Sequence, residues 1–118
     1  MAKKILVIDD DANTCQLVRR ILEKDGFQAE TCTDPLKSIQ LAQSFKPDLV
    51  LLDILMPRMD GTELARRLSE LPGFQSPMIF LSVLAGDNST TGGKIPCVPK
   101  PFAPEELLQK VRETIGSP

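Results

Sequence analysis

The chain has no histidine among its 118 residues. This absence excludes an imidazole general base, a histidine-ligated zinc site and a Ser-His catalytic triad, because each of them needs an imidazole ring. Cysteine is also scarce. The chain has only Cys15, Cys32 and Cys97, and no two of them have the C-x-x-C spacing of a metal or redox motif. Cysteines scattered in this way predict buried free thiols in a reducing compartment.

Long apolar runs are missing as well. The run over residues 5–8 stops at Asp9, and the run over residues 49–52 stops at Asp53. Both are shorter than a signal-peptide core of about 7–15 residues and far shorter than the roughly 18 residues of a membrane span. A net charge of −2 gives no sign of an electrostatic nucleic-acid binder. We therefore expect a cytoplasmic protein that contacts neither membrane nor nucleic acid directly.

The chain does contain a regular alternation of short apolar runs and amphipathic stretches, which predicts parallel βαβ units with right-handed crossovers. The fold class expected is α/β, with a doubly wound five-stranded parallel sheet in one domain over residues 1–118. The predicted strands cover residues 5–8, 27–33, 49–52, 78–83 and 97–98. Pro96 and Pro99 deny the last strand two amide donors, which places it at an edge of the sheet.

Four helices are predicted between and after these strands. The first has its inward stripe at Leu17, Val18, Ile21 and Leu22 and ends at Asp25-Gly26. The second starts at Asp34-Pro35, with Leu36, Ile39 and Ala42 facing inward. The third covers about residues 60–70 and the last about residues 104–115. Residues 84–95 have little apolar periodicity and are predicted to form a loop.

Acidic residues follow two of the predicted strands directly. Asp9, Asp10 and Asp11 come after the first strand, and Asp53 comes after the third. In an open α/β sheet, ligands bind outside the carboxyl ends of the strands. If these two strands are neighbours, about 4.8 Å apart, then Asp53 meets one or two of the other acids. Carboxylates so close together need a proton or a cation, and an all-oxygen cluster suits magnesium (Mg²⁺).

A simpler interpretation stays open for part of this set. Residues 9–11 could instead cap the first helix and stabilise its positive end. That interpretation does not account for Asp53. Two further residues point to the same edge, because Ser82 ends the fourth strand and Lys100 follows the fifth. A hydroxyl and an ammonium group beside clustered carboxylates favour a metal and phosphoryl site.

The motifs at these strand ends resemble those of the receiver domain of bacterial two-component response regulators. The resemblance covers essentially the whole chain. The most specific stretch is D-x-x-M-P-x-M-D-G at residues 53–61, and it is accompanied by the acidic run at residues 9–11, by F-L-S at residues 80–82 and by K-P-F at residues 100–102. The fold that this resemblance implies is flavodoxin-like, with strand order 2-1-3-4-5.

The resemblance also implies a role for each residue of the metal site. Asp53 would be the nucleophile that accepts a phosphoryl group from a histidine kinase or a histidine phosphotransfer protein. Asp10, Asp53 and the backbone carbonyl of Leu55 would ligate Mg²⁺, while Asp9 would act through a water molecule. The chain would be a signalling phosphoacceptor rather than an enzyme, catalysing only its own phosphorylation and dephosphorylation.

Two more roles concern the phosphoryl group itself. Ser82 would donate a hydrogen bond to a phosphoryl oxygen. Lys100 would form an ion pair with the same group. The Lys100–Pro101 peptide bond that follows it is commonly cis in the family. These roles suit phosphoryl transfer, which depends on positioning and on neutralised oxygens.

The chain departs from the family pattern after the fourth strand. The segment from Ser82 to Lys100 is shorter than usual by about one helical turn. The helix that the family has between the fourth and fifth strands, its helix 4, is therefore expected to be missing or shortened in this chain. Cys97 stands where an aromatic switch residue is usual, and Val83 stands where a small residue is usual. Leu55 and Leu84 occupy two positions that help to admit the attacking water in this family, and an aliphatic side chain cannot orient water.

Two other functions compete with that of a working phosphoacceptor. The first is a degenerate receiver that acts as a phosphorylation-independent protein-interaction module, which the altered region after the fourth strand favours. The second is a metal-dependent phosphatase or a flavodoxin-like enzyme. No glycine-rich phosphate loop follows the first or third strand, which disfavours the enzyme.

Overall fold

A computed structural model describes residues 2–57, 59–82 and 95–118. The strands are β1 (Lys4–Ile8), β2 (Gln28–Cys32), β3 (Leu49–Asp53), β4 (Met78–Ser82) and β5 (Cys97–Pro99). The helices in these ranges are α1 (Ala12–Lys24), α2 (Pro35–Phe45), α3 (Gly61–Ser69) and α4 (Pro104–Ile115). The strands form one parallel sheet in the order β2-β1-β3-β4-β5. The predicted fold class and strand order are therefore confirmed.

The position of β5 at the edge of the sheet is also confirmed. An edge strand needs hydrogen-bond donors on one side only, so the two prolines around Cys97 and Val98 are tolerated. The carbonyl of Pro96 accepts a hydrogen bond from the amide of Phe80, at 2.9 Å. The short strand is thus attached to β4 although it lacks part of its own donors.

Three helices begin with an aspartate that caps the first turn. Asp11, Asp34 and Asp60 each accept a hydrogen bond from the backbone amide two residues further on, at 2.9, 3.0 and 2.7 Å respectively. These bonds satisfy amides that the helix itself leaves without partners. Helices α1 and α2 begin within a few residues of the carboxyl end of the preceding strand, and a longer loop connects β3 to α3. This arrangement leaves the carboxyl edge of the sheet lined by loop residues.

The central strands are covered on both faces. Ile5 and Val7 of β1 share a core with residues of α1 and α4, while Leu6 and Ile8 share a second core with residues of α2 and α3. All four side chains have no exposed surface. Burial on both faces is the condition that a continuous apolar strand predicts.

Two residues predicted to face inward are exposed. Leu17 is 52% exposed and Leu36 is 57% exposed. The buried stripe of α1 consists of Cys15, Val18, Ile21 and Leu22. That of α2 consists of Pro35, Ser38 and Ala42, with Ile39 partly buried at its border. In each helix the misassigned leucine immediately follows or precedes a stripe residue, so it is rotated by about 100° from it.

The cysteine prediction needs a partial correction. All three thiols are free, but only Cys15 is buried, while Cys32 and Cys97 are partly exposed. Both of these lie on edge strands, where neighbouring structure covers one side less completely. The expectations for Val83, Leu84 and a missing helix over residues 84–95 fall outside the described residues, apart from Ile95. Within the described ranges, no helix has the length and apolar character of a membrane span.

Candidate functional site

The carboxyl edge of the sheet brings three acidic side chains together. Strands β1 and β3 are neighbours with Ile8 in register with Leu52, so Asp9, which follows β1, lies beside Asp53, the last residue of β3. One carboxylate oxygen each from Asp9, Asp10 and Asp53 lies within 4.8 Å of the other two. Asp9 is fully buried and Asp53 is 6% exposed, whereas Asp10 is exposed at the mouth of the cluster.

Asp11 takes the structural role that the capping interpretation gave to all three acids. Its carboxylate accepts hydrogen bonds from the amide of Asn13 and the hydroxyl of Thr14, at 2.9 and 3.0 Å. These bonds lower the pKa of Asp11, the hydroxyl contributing most. The amide of Asp11 in turn donates to Oδ1 of Asp9, at 2.9 Å. Asp11 therefore caps α1, while the neighbouring Asp9 and Asp10 belong to the acidic cluster.

Lys100 follows the edge strand β5, and its side chain extends to the acidic cluster. Its Nζ lies 2.6 Å from Oδ2 of Asp9 and 3.6 Å from Oδ2 of Asp53. Its backbone amide donates to the carbonyl of Ser82, at 2.9 Å, which ties the residue after β5 to the end of β4. The Lys100–Pro101 peptide bond is cis, as the resemblance implies.

Ser82 and Leu55 lie at the same edge. Ser82 is the last residue of β4, next to β3, and is fully buried. The amide of Leu55 donates to Oδ1 of Asp53, at 3.2 Å, and so fixes one oxygen of that carboxylate. The Leu55 side chain is 49% exposed. Each residue expected at the site from the sequence is thus found at this edge.

The charges of the cluster do not balance. Burial raises the pKa of Asp53 most, and the charge of Asp9 adds to this, while Lys100 and the Leu55 amide act in the opposite direction. For Lys100, burial would lower the pKa, but the hydrogen bond to Asp9 and the charges of Asp9 and Asp53 together raise it. Among the described residues one ammonium group faces three carboxylates. The unmatched charge equals that of one divalent cation.

The response regulator receiver domain is the family whose sequence profile matches this chain, over residues 5–112. The chain belongs to that family. Response regulator MprA of Mycobacterium sp. (strain KMS) is 37% identical over 116 residues, and that of Mycobacterium tuberculosis is 36% identical over the same length. Each alignment covers 95% of this chain and 50% of the relative, so this receiver domain spans about half the length of those proteins.

Solved structures resemble this receiver domain over almost its full length. Chemotaxis response regulator CheY4 of Vibrio cholerae has a TM-score of 0.85 at 26% identity, covering 98% of this chain and 100% of that one. The signal receiver domain of a response regulator from Bermanella marisrubri has a TM-score of 0.85 at 27% identity, covering 98% and 99%.

Sequence reasoning missed the residues that hold Asp9 in place. The thiol of Cys15 donates to the carbonyl of Asp9, at 3.3 Å, and the amide of Asp9 donates to the carbonyl of Cys32, at 3.1 Å. The burial of the Cys15 thiol, followed by the charge of Asp9, raises its pKa to about 11. No sequence motif signals these contacts, because a buried cysteine such as Cys15 is an ordinary core residue and the Cys32 contact is made by its backbone.

Proposed function

We propose that this receiver domain accepts a phosphoryl group on Asp53 from a histidine kinase or a histidine phosphotransfer protein. In that reaction an Asp53 oxygen forms a bond to phosphorus while the bond between phosphorus and the donor's imidazole nitrogen breaks. Residues 1–118 contain no histidine, so the phosphohistidine would have to lie outside them. The proposal depends on one observation above all, the three-carboxylate cluster whose unmatched charge suits a divalent cation and an incoming phosphoryl group.

The residues present fit Mg²⁺. Asp10 and Asp53 would hold the ion together with the carbonyl of Leu55, and Asp9 would act through water. Oxygen ligands of this kind are those that Mg²⁺ prefers. When bound, the ion would neutralise charge on the phosphoryl oxygens.

Other groups would act on the phosphoryl group directly. Lys100, held 2.6 Å from Asp9, would place its positive charge beside the transferring group. Ser82 would donate its hydroxyl to a phosphoryl oxygen. The Leu55 amide, which already binds Oδ1 of Asp53, would leave the other carboxylate oxygen to attack. Positioned charges of this kind supply most of the catalysis in phosphoryl transfer.

We further propose that residues 1–118 act as a single receiver domain in the cytoplasm. It would bind no nucleic acid itself and would catalyse only its own phosphorylation and dephosphorylation. Three free thiols suit a reducing compartment.

Labelling with acetyl phosphate and Mg²⁺ tests the proposal. Intact mass spectrometry should show one added phosphoryl group on the wild type and none on the Asp53→Asn variant. The Asp11→Asn variant is the matched control, because it removes the same charge two residues from Asp9 and keeps a capping side chain. A wild type that stays unlabelled under these conditions and with a phosphorylated histidine kinase would favour the phosphorylation-independent interaction module. Equal labelling of wild type and Asp53→Asn would show that Asp53 is not the acceptor.

A further inference from the structure

The loop that follows Asp53 closes back on its own beginning. It leaves β3 at Ile54 and enters α3 at Gly61, and the amide of Gly61 donates to the carbonyl of Ile54, at 2.8 Å. Leu55, whose amide binds Oδ1 of Asp53, lies inside this closed loop. The first turn of α3 is therefore attached to the peptide that carries the acceptor carboxylate.

The attachment requires that residue 61 has no side chain. A Cβ atom at this position would lie 2.2 Å from the carbonyl oxygen of Asp53 and 2.6 Å from the Cα of Ile54. Both are backbone atoms, which cannot rotate away as the end of a flexible side chain can. Ordinary contact distances begin at 3.4 Å, so α3 and the end of β3 must separate by about 1 Å to accept a methyl group.

We propose that Gly61 is a positioning residue for the phosphoryl site. This inference rests on the proposed function of Asp53. The missing side chain lets α3 press against the Asp53–Ile54 peptide, which sets the Asp53 carboxylate and the Leu55 backbone at their distances from Asp9 and Asp10. Widening that contact moves two of the proposed metal ligands together, while Asp9 and Asp10 stay in the loop that follows β1.

The test compares Gly61→Ala with Gly73→Ala. Gly73 lies beyond the other end of α3 and has a φ of +77°, and a Cβ added there would meet no atom within 4 Å, so alanine strains the backbone without touching the site. Circular dichroism fixes a temperature at which both variants are folded. We expect Gly61→Ala to slow phosphorylation by acetyl phosphate about 100-fold, a loss that a misplacement of about 1 Å can cause in an active site. Its Mg²⁺ affinity by calorimetry should fall as well, whereas Gly73→Ala should match the wild type in both.

The outcomes separate this inference from the proposed function. If the wild type labels, Asp53→Asn does not, and Gly61→Ala labels at the wild-type rate with unchanged Mg²⁺ affinity, the positioning role is wrong and the acceptor assignment stands. If the wild type does not label at all, both the acceptor assignment of Asp53 and the positioning role of Gly61 are wrong. A loss of labelling in Gly73→Ala equal to that in Gly61→Ala would show a general effect of destabilising α3 and would also overturn the inference.

A measurement on the wild type serves if Gly61→Ala does not fold. In a ¹⁵N spectrum, Mg²⁺ titration should shift the amide signals of Gly61 and Leu55 along one saturation curve and leave that of Gly73 in place. A Gly61 signal that does not respond to Mg²⁺ would overturn the positioning role, because its amide is bonded to the peptide that would move with the ligands.

Discussion

Removing the Asp10 carboxylate should stabilise this receiver domain in the absence of metal. Asp10 belongs to a cluster in which three carboxylate oxygens lie within 4.8 Å of one another. The Asp10→Asn substitution keeps the size of the side chain and removes one negative charge. It therefore relieves two repulsions, one with Asp9 and one with Asp53. The same change removes a proposed Mg²⁺ ligand.

The size of the effect follows from the distances. At 4.8 Å, the upper limit of the separations in the cluster, two unit charges repel by about 0.9 kcal/mol in water and by about 3.5 kcal/mol at an effective dielectric constant of about 20. Asp10 is exposed, so the value for water is the appropriate one for each of its two pairs. The lost attraction to Lys100 offsets part of this gain. We expect a net stabilisation of about 1 kcal/mol, equivalent to roughly 3–5 °C in melting temperature for a domain of this size.

Mg²⁺ should reverse the order of the melting temperatures of the wild type and Asp10→Asn. Mg²⁺ at about 100 times its Kd adds about 2.7 kcal/mol to the stability of a protein that binds it only when folded. The wild type should gain this stabilisation and Asp10→Asn should gain little of it. The wild type should therefore melt lower than the variant in EDTA and higher in excess Mg²⁺.

Thermal melts followed by circular dichroism measure both conditions, and they suit a chain that has neither tryptophan nor tyrosine for fluorescence. Asp11→Asn is the matched control, since it makes the same change in net charge outside the cluster and Asn remains a good cap. It should respond to Mg²⁺ as the wild type does. The charge-repulsion account is refuted if Asp10→Asn melts below the wild type in EDTA, or if Mg²⁺ raises the melting temperature of both equally.

Further predictions concern the exposed leucines and the thiols. Leu55→Asn should shorten the lifetime of the phosphorylated protein severalfold, because a carboxamide at this edge can orient water; Leu17→Asn is the exposed-leucine control, and an unchanged decay rate in Leu55→Asn would contradict the idea. Iodoacetamide at pH 8 should modify Cys32 well before Cys15, which is 2% exposed, and peptide mapping that found Cys15 modified first would be inconsistent with the structure. Since burial raises the pKa of Cys15 from 9.0 to about 11, the unfolded chain loses this proton first and stability should fall between pH 9 and 11, by up to about 1.4 kcal/mol per pH unit. Cys15→Ala should show a shallower decline than the wild type in denaturant titrations, and equal slopes would disprove the assignment.

The sequence predicted the helices and strands well because their signals are local. A cap such as Asp34 binds an amide two residues away, and a buried strand such as residues 49–52 is apolar along its whole length. The same local signals could not assign the inward faces fully. Leu17 and Leu36 fit a helical period, but the period does not say which side of the helix meets the sheet. That choice depends on how each helix packs. The strand order, likewise, came from the family resemblance and not from periodicity.

The candidate site shows the same division. The sequence by itself determined that acids follow two apolar strands and that Ser82 and Lys100 end two more. The strand pattern did not determine which of Asp9, Asp10 and Asp11 would meet Asp53, and only the family resemblance pointed to Asp9 and Asp10. That choice depended on where α1 begins, because Asp11, the residue before the first helical residue, uses its carboxylate to cap the helix.

Tertiary structure alone decided the contacts between residues far apart in the chain. Lys100 meets Asp9 across 91 positions of sequence, because the end of β5 is tied to β4 and the lysine then spans the edge of the sheet toward β1. Gly61 must lack a side chain because α3 packs within contact distance of the Asp53 carbonyl. Hydrogen-bonded caps and apolar periods act over a few residues and can be recognised in a sequence. Charge pairing and close backbone contact depend on which elements become neighbours, which only the folded chain specifies.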